Sequence, residues 1–141
     1  MPVCFHLDIV SAEAGIYSGP VKKLFVSGIL GELEVLNGHA PLLTSLKPGP
    51  VWVVNEDNKE EVFYISGGML EVQPTVTTVL ADTALRAKEV DEDQAIEAKK
   101  RAEEILAGKG KDFDYAKAQA ELAEAIAQLR ALKRLRDRGG H

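Results

Sequence analysis

Cysteine is almost missing from this chain. Cys4 stands alone, so neither an internal disulfide nor a cysteine-based metal cluster can form. In its strand-like surroundings it reads as a small apolar residue rather than a reactive thiol. Aromatic side chains make up only 6% of the 141 residues, which leaves Val, Ile, Leu and Ala to build a core. No apolar run approaches the roughly 20 residues that cross a bilayer as a helix, so direct membrane insertion is not expected. The start, MPVCFHLDIV, lacks the basic head and cleavage site of a signal peptide and the Arg/Ser richness of a transit peptide, which points to a chain kept in the cytoplasm. His6, His39 and His141 lie far apart, without the spacing of a metal site. There is no Gly-x-Ser-x-Gly elbow. The stretch Gly108–Lys111 falls short of a phosphate loop, which needs four residues between its glycines and a Ser or Thr after the lysine; here Asp112 follows. The acidic pairs Glu60-Glu61 and Asp91–Asp93 read as a solvated turn and a helix start. No catalytic residue, resident cofactor or metal site is therefore expected.

What is present is an uneven charge. The net charge of −5 is made of −5 over residues 1–90, −4 over 91–129 and +4 over the last twelve. Arg130, Lys133, Arg134, Arg136 and Arg138 supply that basic tip, against Asp137 alone. An acidic body with a cationic end argues against nucleic-acid binding and for a tail that meets an acidic partner. Cations in a last helical turn also offset the helix dipole, but five in nine residues exceed that need.

The first half reads as strands. Val3, Phe5, Leu7 and Ile9 alternate with Cys4, His6 and Asp8. Further strand-like runs are Val21–Ser27, Glu32–Leu36, Val51–Asn55, Glu61–Ser66, Met69–Gln73 and Thr75–Leu80. Turn residues such as Gly19-Pro20, Asn37-Gly38, Lys47–Pro50 and Gly67-Gly68 separate them. Short strands every ten residues or so, without intervening helices, predict an antiparallel β-sandwich or flattened barrel.

The second half changes period. Asp91 is placed to cap a helix carrying Ala95, Ala98, Ala102, Ile105 and Leu106 on one side. Ala107–Gly110 breaks it, and Asp112 or Asp114 starts a second helix reaching about Arg136, roughly 35 Å at 1.5 Å per residue. Leu122, Ile126, Leu129 and Leu132 form a stripe beside the shallow positions Ala116, Ala120, Ala123 and Ala127. The two should make an antiparallel hairpin with a thin interface. The fold class expected is thus α+β in two parts, a sandwich over 1–87 and a helical hairpin over 88–141. Strong helix formers fill the second helix, so it depends less than usual on packing and could fold onto the sandwich or extend along another protein.

Several blocks, in this order and spacing, resemble the epsilon subunit of F-type ATP synthase, bacterial type. They are His6-Leu7-Asp8 with Val10–Glu13, Gly31-Glu32-Leu33, Gly38–Thr44 and Lys47-Pro48-Gly49, then Ser66-Gly67-Gly68, Leu70-Glu71-Val72, Leu80–Ala84 and Ala116–Arg130. The resemblance implies a non-catalytic rotor subunit of the central stalk. Its sandwich would bind the gamma subunit and rest on the ring of proton-carrying membrane subunits, at the cytoplasmic face of the bacterial inner membrane. Its hairpin would rise into the catalytic alpha/beta head and suppress ATP hydrolysis. The rotor contacts so implied are Glu32 and the turn Gly38, His39, Ala40, Pro41 and Leu42; the inhibitory arm is Arg130, Lys133, Arg134, Arg136 and Arg138. On the residues alone, His39 is an ordinary turn histidine and Glu32 a solvated carboxylate.

Some relatives bind ATP through an Ile/Leu-Asp-x-x-Arg-Ala motif at the first helix. Here it reads Val90-Asp91-Glu92-Asp93-Gln94-Ala95, so Asp91 remains but Gln94 replaces the arginine. The lost guanidinium and added carboxylates predict weak or absent nucleotide binding. Glu34 and Asn37 also depart from the Gly and Pro that relatives often carry. The competing function is a free-standing module whose sandwich holds a small ligand and whose hairpin dimerises.

Overall fold

A computed structural model of the chain describes residues 4–108 and 115–139, with the side chains of 138 and 139 excepted. Val3, Lys109–Asp114, His141 and the side chain of Arg138 thus lie outside the described residues. The strands are β1 (Phe5–Ser11), β2 (Gly15–Gly28), β3 (Gly31–Val35), β4 (Leu42–Leu46), β5 (Gly49–Asn55), β6 (Glu60–Ile65), β7 (Gly68–Val72), β8 (Thr77–Ala81) and β9 (Ala84–Arg86). A 3-10 turn at Ala87–Glu89 leads to the helices α1 (Glu92–Leu106) and α2 (Tyr115–Gly139).

One layer runs β1-β8-β7-β4, and the other holds β3, β2, β5, β6 and β9. Alternation sends Leu7, Ile9, Leu24, Val26, Val51, Val53, Phe63, Ile65, Leu70 and Val79 into the space between the layers, all essentially inaccessible. The long strand β2 belongs to both layers. Its first half pairs with β1 and its second half with β3 and β5, with a register shift between Val21 and Lys23. That bend explains why Gly19-Pro20, which the sequence suggests as a separator, lies inside a strand: the donorless proline falls just before the corner, where pairing changes. Leu42–Leu46 is a strand of its own rather than part of a loop. Every pairing between these strands is antiparallel except β1 with β8, where the long intervening chain frees the two from hairpin geometry.

The Ser66-Gly67-Gly68 block has a steric cause. Gly68 has φ +147°, and a side chain there would collide with the Leu80 carbonyl oxygen where β7 and β8 pair. Gly38 turns the chain between β3 and β4 with φ +88°.

A second, smaller core lies outside the sandwich. Val62 and Tyr64 from β6, with Ala87 and Val90, meet Ala127, Ala131 and Leu132 of α2, flanked by Trp52 and Leu135. The alanines let the helix approach the sheet closely. Burial pushes the Tyr64 phenol up to about 12; nearby Glu124 acts the same way and a Gln128 hydrogen bond opposes it. The folded state therefore holds this proton while the unfolded chain loses it near pH 10. Stability falls as pH rises between those two values, by about 2 kcal/mol from this group. Tyr64→Phe should flatten that alkaline loss, read from urea midpoints measured through the window.

Candidate docking faces of the sandwich

The outward face of the first layer is apolar in its middle. Ladder registry aligns Ser45, Met69, Leu80 and Val10 in one row, and Leu43, Glu71, Thr78 and Asp8 in the next. Leu43 is 65% exposed and Leu80 50%, adjacent to half-buried Met69 and Val10. Strands β4, β7 and β8 thus carry apolar side chains on both faces, as a strand covered on both sides would.

The rim of this face holds His6, Asp8 and Ser18. Ser18 donates to Asp8 Oδ1 at 2.6 Å, and His6 Nε2 lies 3.0 Å from the same oxygen and 3.3 Å from Ser18 Oγ. The Ser18 hydrogen bond, helped by His6, holds the Asp8 carboxyl below its usual range. A nucleophilic triad needs the serine bonded to one ring nitrogen and the carboxylate to the other. Here one nitrogen faces both and the serine gives its proton to the acid, so the cluster is a surface hydrogen-bond set.

The turn Gly38–Pro41 continues this face at one end. His39 N–H donates to the Leu36 carbonyl, and its Nδ1 pairs with the Ala40 carbonyl at 2.7 Å, the local role that its turn position suggests. Leu42 is directed to the core cluster, and its neighbour Leu43 is the one presented outward. Glu32 sits at the other end of β3, beside the β2–β3 tip, where Leu30 is 94% exposed and Ile29 projects next to it. Five residues, three of them in β3, separate Glu32 from Gly38, so the implied rotor contacts form two places and not one.

The outward face of the second layer is occupied. Three arginines of α2 are engaged there or within the hairpin. Arg130 bonds Glu32 at 2.9 Å. Arg134 grips Glu60 in two-pronged fashion at 2.8 and 2.6 Å and lies over the Trp52 ring, 4.1 Å from its centroid. Arg136 grips Glu92 at 2.7 Å through both nitrogens. Lys133 points to solvent. Three of the five cations of the tip, Arg130, Arg134 and Arg136, are therefore paired with acidic side chains of this same chain.

At the head of α1, Asp91 accepts the Gln94 N–H at 3.1 Å, the cap that the sequence predicts. Glu92 is drawn to Arg136, whose hydrogen bonds hold its carboxyl below the usual range. The first turn of α1 carries Glu92, Asp93 and Gln94, and the Arg136 guanidinium beside it is committed to Glu92. No group of three or more His, Cys, Asp or Glu suited to a metal occurs among the described residues, and no described helix is long and apolar enough to cross a membrane.

Residues 4–87 match the family model for the ATP synthase Delta/Epsilon chain beta-sandwich domain, and residues 83–133 match its long alpha-helix domain. An ATP synthase epsilon chain from Chromohalobacter salexigens is 55% identical over 135 residues, covering 96% of each chain. The chain belongs to the ATP synthase epsilon-chain family. It is thus a non-catalytic subunit of an ATP synthase. Two solved structures share its fold. A chain of the Euglena gracilis mitochondrial ATP synthase (OSCP/F1/c-ring) superposes with TM-score 0.70 at 24% identity, covering 100% of this chain and 84% of that one. A chain of the Tetrahymena thermophila mitochondrial ATP synthase central stalk/c-ring gives 0.65 at 16%, covering 91% and 96%. Two features of this arrangement escape sequence reading. The apolar face of Leu43, Met69 and Leu80 was signalled only by doubled apolar positions such as Leu42-Leu43 and Val79-Leu80. The seat of Arg134 on Trp52 and Glu60 had no sequence signal, because 74 residues separate its acidic and basic halves.

Proposed function

We propose that this epsilon-family chain is a rotor subunit of the central stalk, joining the proton-carrying ring to the gamma shaft and restraining ATP hydrolysis with its helices. The division falls at 87/88: a sandwich for coupling, a hairpin for regulation. The single observation that carries the coupling role is the uncovered apolar face of Leu43, Met69, Leu80 and Val10, on the side of the sandwich away from α2. A gamma subunit is its partner, and the turn Gly38–Pro41 extends that contact. The tip at Ile29–Glu32 rests on the ring. Two packed sheets supply the stiffness that torque transfer requires.

The arm role rests on charge. Arg130, Lys133, Arg134, Arg136 and Arg138 meet acidic groups of the catalytic alpha/beta head when the hairpin leaves the sandwich, and block rotation there. The complex so formed lies peripherally at the cytoplasmic face of the bacterial inner membrane. Pull-down from native membranes tests the assignment. A stable pair with a gamma subunit is expected, and a lone homodimer without one would overturn it. Nucleotide binding by the hairpin is weak or absent: calorimetry on the isolated chain should detect no micromolar ATP site, given Gln94 in place of a guanidinium and the Glu92–Arg136 pair beside it.

A further inference from the structure

The three arginine pairs of α2 do different jobs. Arg136 and Glu92 both belong to the hairpin, so their pair ties α2 to α1 and travels with them. Arg130 and Glu32 join arm to sandwich through one contact between half-exposed side chains, a kind of pair that contributes little. Arg134 differs on three counts. Its fork meets both oxygens of Glu60, whose side chain is only 7% exposed. Its guanidinium carbon lies over the Trp52 ring. Trp52 in turn stacks on Phe25 at 3.7 Å between centroids and 5° between planes.

Three neighbouring strands build this seat. Phe25 on β2 lies opposite Trp52 on β5, and Glu60 on β6 pairs two residues further along, opposite Val54. On α2, Ala127, Ala131 and Arg134 follow one another on the face turned to the sheet, so the small residues bring the helix down and the arginine lands one turn later. The two-pronged hydrogen bond is specific to a guanidinium; an ammonium of equal charge can sit over the ring but cannot clasp both carboxylate oxygens in that fork.

We propose that Arg134 is the catch of the helical hairpin: seated on Trp52 and clasped by Glu60, it fixes α2 to the second sheet, and losing its fork releases the hairpin while the sandwich stays intact. The catch acts within the free chain and stands whether or not the arm restrains hydrolysis. Trp52 is the chain's one tryptophan, so it reports the seat directly.

The test uses the full chain with Arg134→Lys, Glu60→Gln and, for comparison, Arg136→Gln. Hydrogen exchange of amides in β1, β7 and β8 checks the sandwich, and exchange over residues 124–134 reads the arm. Arg134→Lys and Glu60→Gln should each speed arm exchange by about tenfold, a loss of one guanidinium-type contact, with sandwich exchange unchanged. Trp52 should become more open to acrylamide quenching in Arg134→Lys, and Arg136→Gln should leave that quenching unaltered. Arm exchange and quenching that match the parent in both seat variants would overturn the catch and leave the apolar seat of Ala127, Ala131 and Leu132, with the Arg130–Glu32 pair, to hold the arm. An effect of Arg136→Gln on Trp52 as large as that of Arg134→Lys would overturn it equally. If a seat variant also speeds sandwich exchange, the double variant decides: the catch requires the two substitutions to be markedly less than additive, and additive effects refute it.

Discussion

Aspartate at both Leu43 and Leu80 should abolish capture of a gamma subunit from solubilised membranes while the chain itself stays folded. Both side chains point outward, so the substitutions leave the interlayer core of Leu7, Ile9, Leu70 and Val79 undisturbed and even favour the free subunit's solubility. In a shaft contact, however, each new carboxylate would be buried against apolar surface without a partner. One unsatisfied charge of that kind costs on the order of 3 kcal/mol, and two in adjacent rows weaken binding by well over 100-fold. Alanine at the same positions should weaken capture only mildly, since it removes area without adding charge. Retained capture by the double aspartate variant would place the shaft elsewhere, and the remaining candidate surface would be the Gly38–Pro41 turn alone.

Deleting the chain from Asp91 onward should leave assembly intact and raise ATP hydrolysis by the complex several-fold. The deletion removes α1 and α2 and uncovers Val62, Tyr64 and Trp52, but the interlayer core contains no residue beyond Ala84. The sandwich should therefore persist with a lower midpoint, and the opposite face remains available to the shaft. A brake that needs cations at Arg130 to Arg138 cannot act once they are gone. Synthesis should be unaffected, because coupling is assigned to the sandwich. Unchanged hydrolysis in the truncated complex would show that the hairpin is no brake and leave coupling standing.

The alternation of Val, Ile and Leu made the sandwich legible, because strand period and core face are the same fact. Asp91 was legible as a cap for an equally local reason: its carboxylate bonds an amide three residues on. Pairings across long separations were not. Glu60 reads as one of two solvated acids in a turn until α2 arrives from 74 residues away and nearly buries it. The charge imbalance announced that Arg130 and Arg134 meet an acidic surface, but not that Glu32 and Glu60 of the same chain receive them here. Glu32 illustrates the double use of one group: the resemblance assigns it to the rotor, and the structure gives its carboxylate to Arg130. Under the proposed rotor role, a ring contact at Glu32 would compete with Arg130 while the arm is down. Trp52 and Phe25 look wasteful on an outward face until Arg134 covers them.

If one face of the sandwich serves the shaft and the other a parked arm, a reducible crosslink between α2 and β6 in the assembled complex tests both at once. With Cys4 replaced and the arm tied down, the complex should still form and synthesise ATP. Its hydrolysis should rise to the level of the Asp91 truncation, then fall back when the crosslink is reduced. Hydrolysis indifferent to the tie, or a tied subunit that no longer joins the complex, would contradict the division of labour between the two faces.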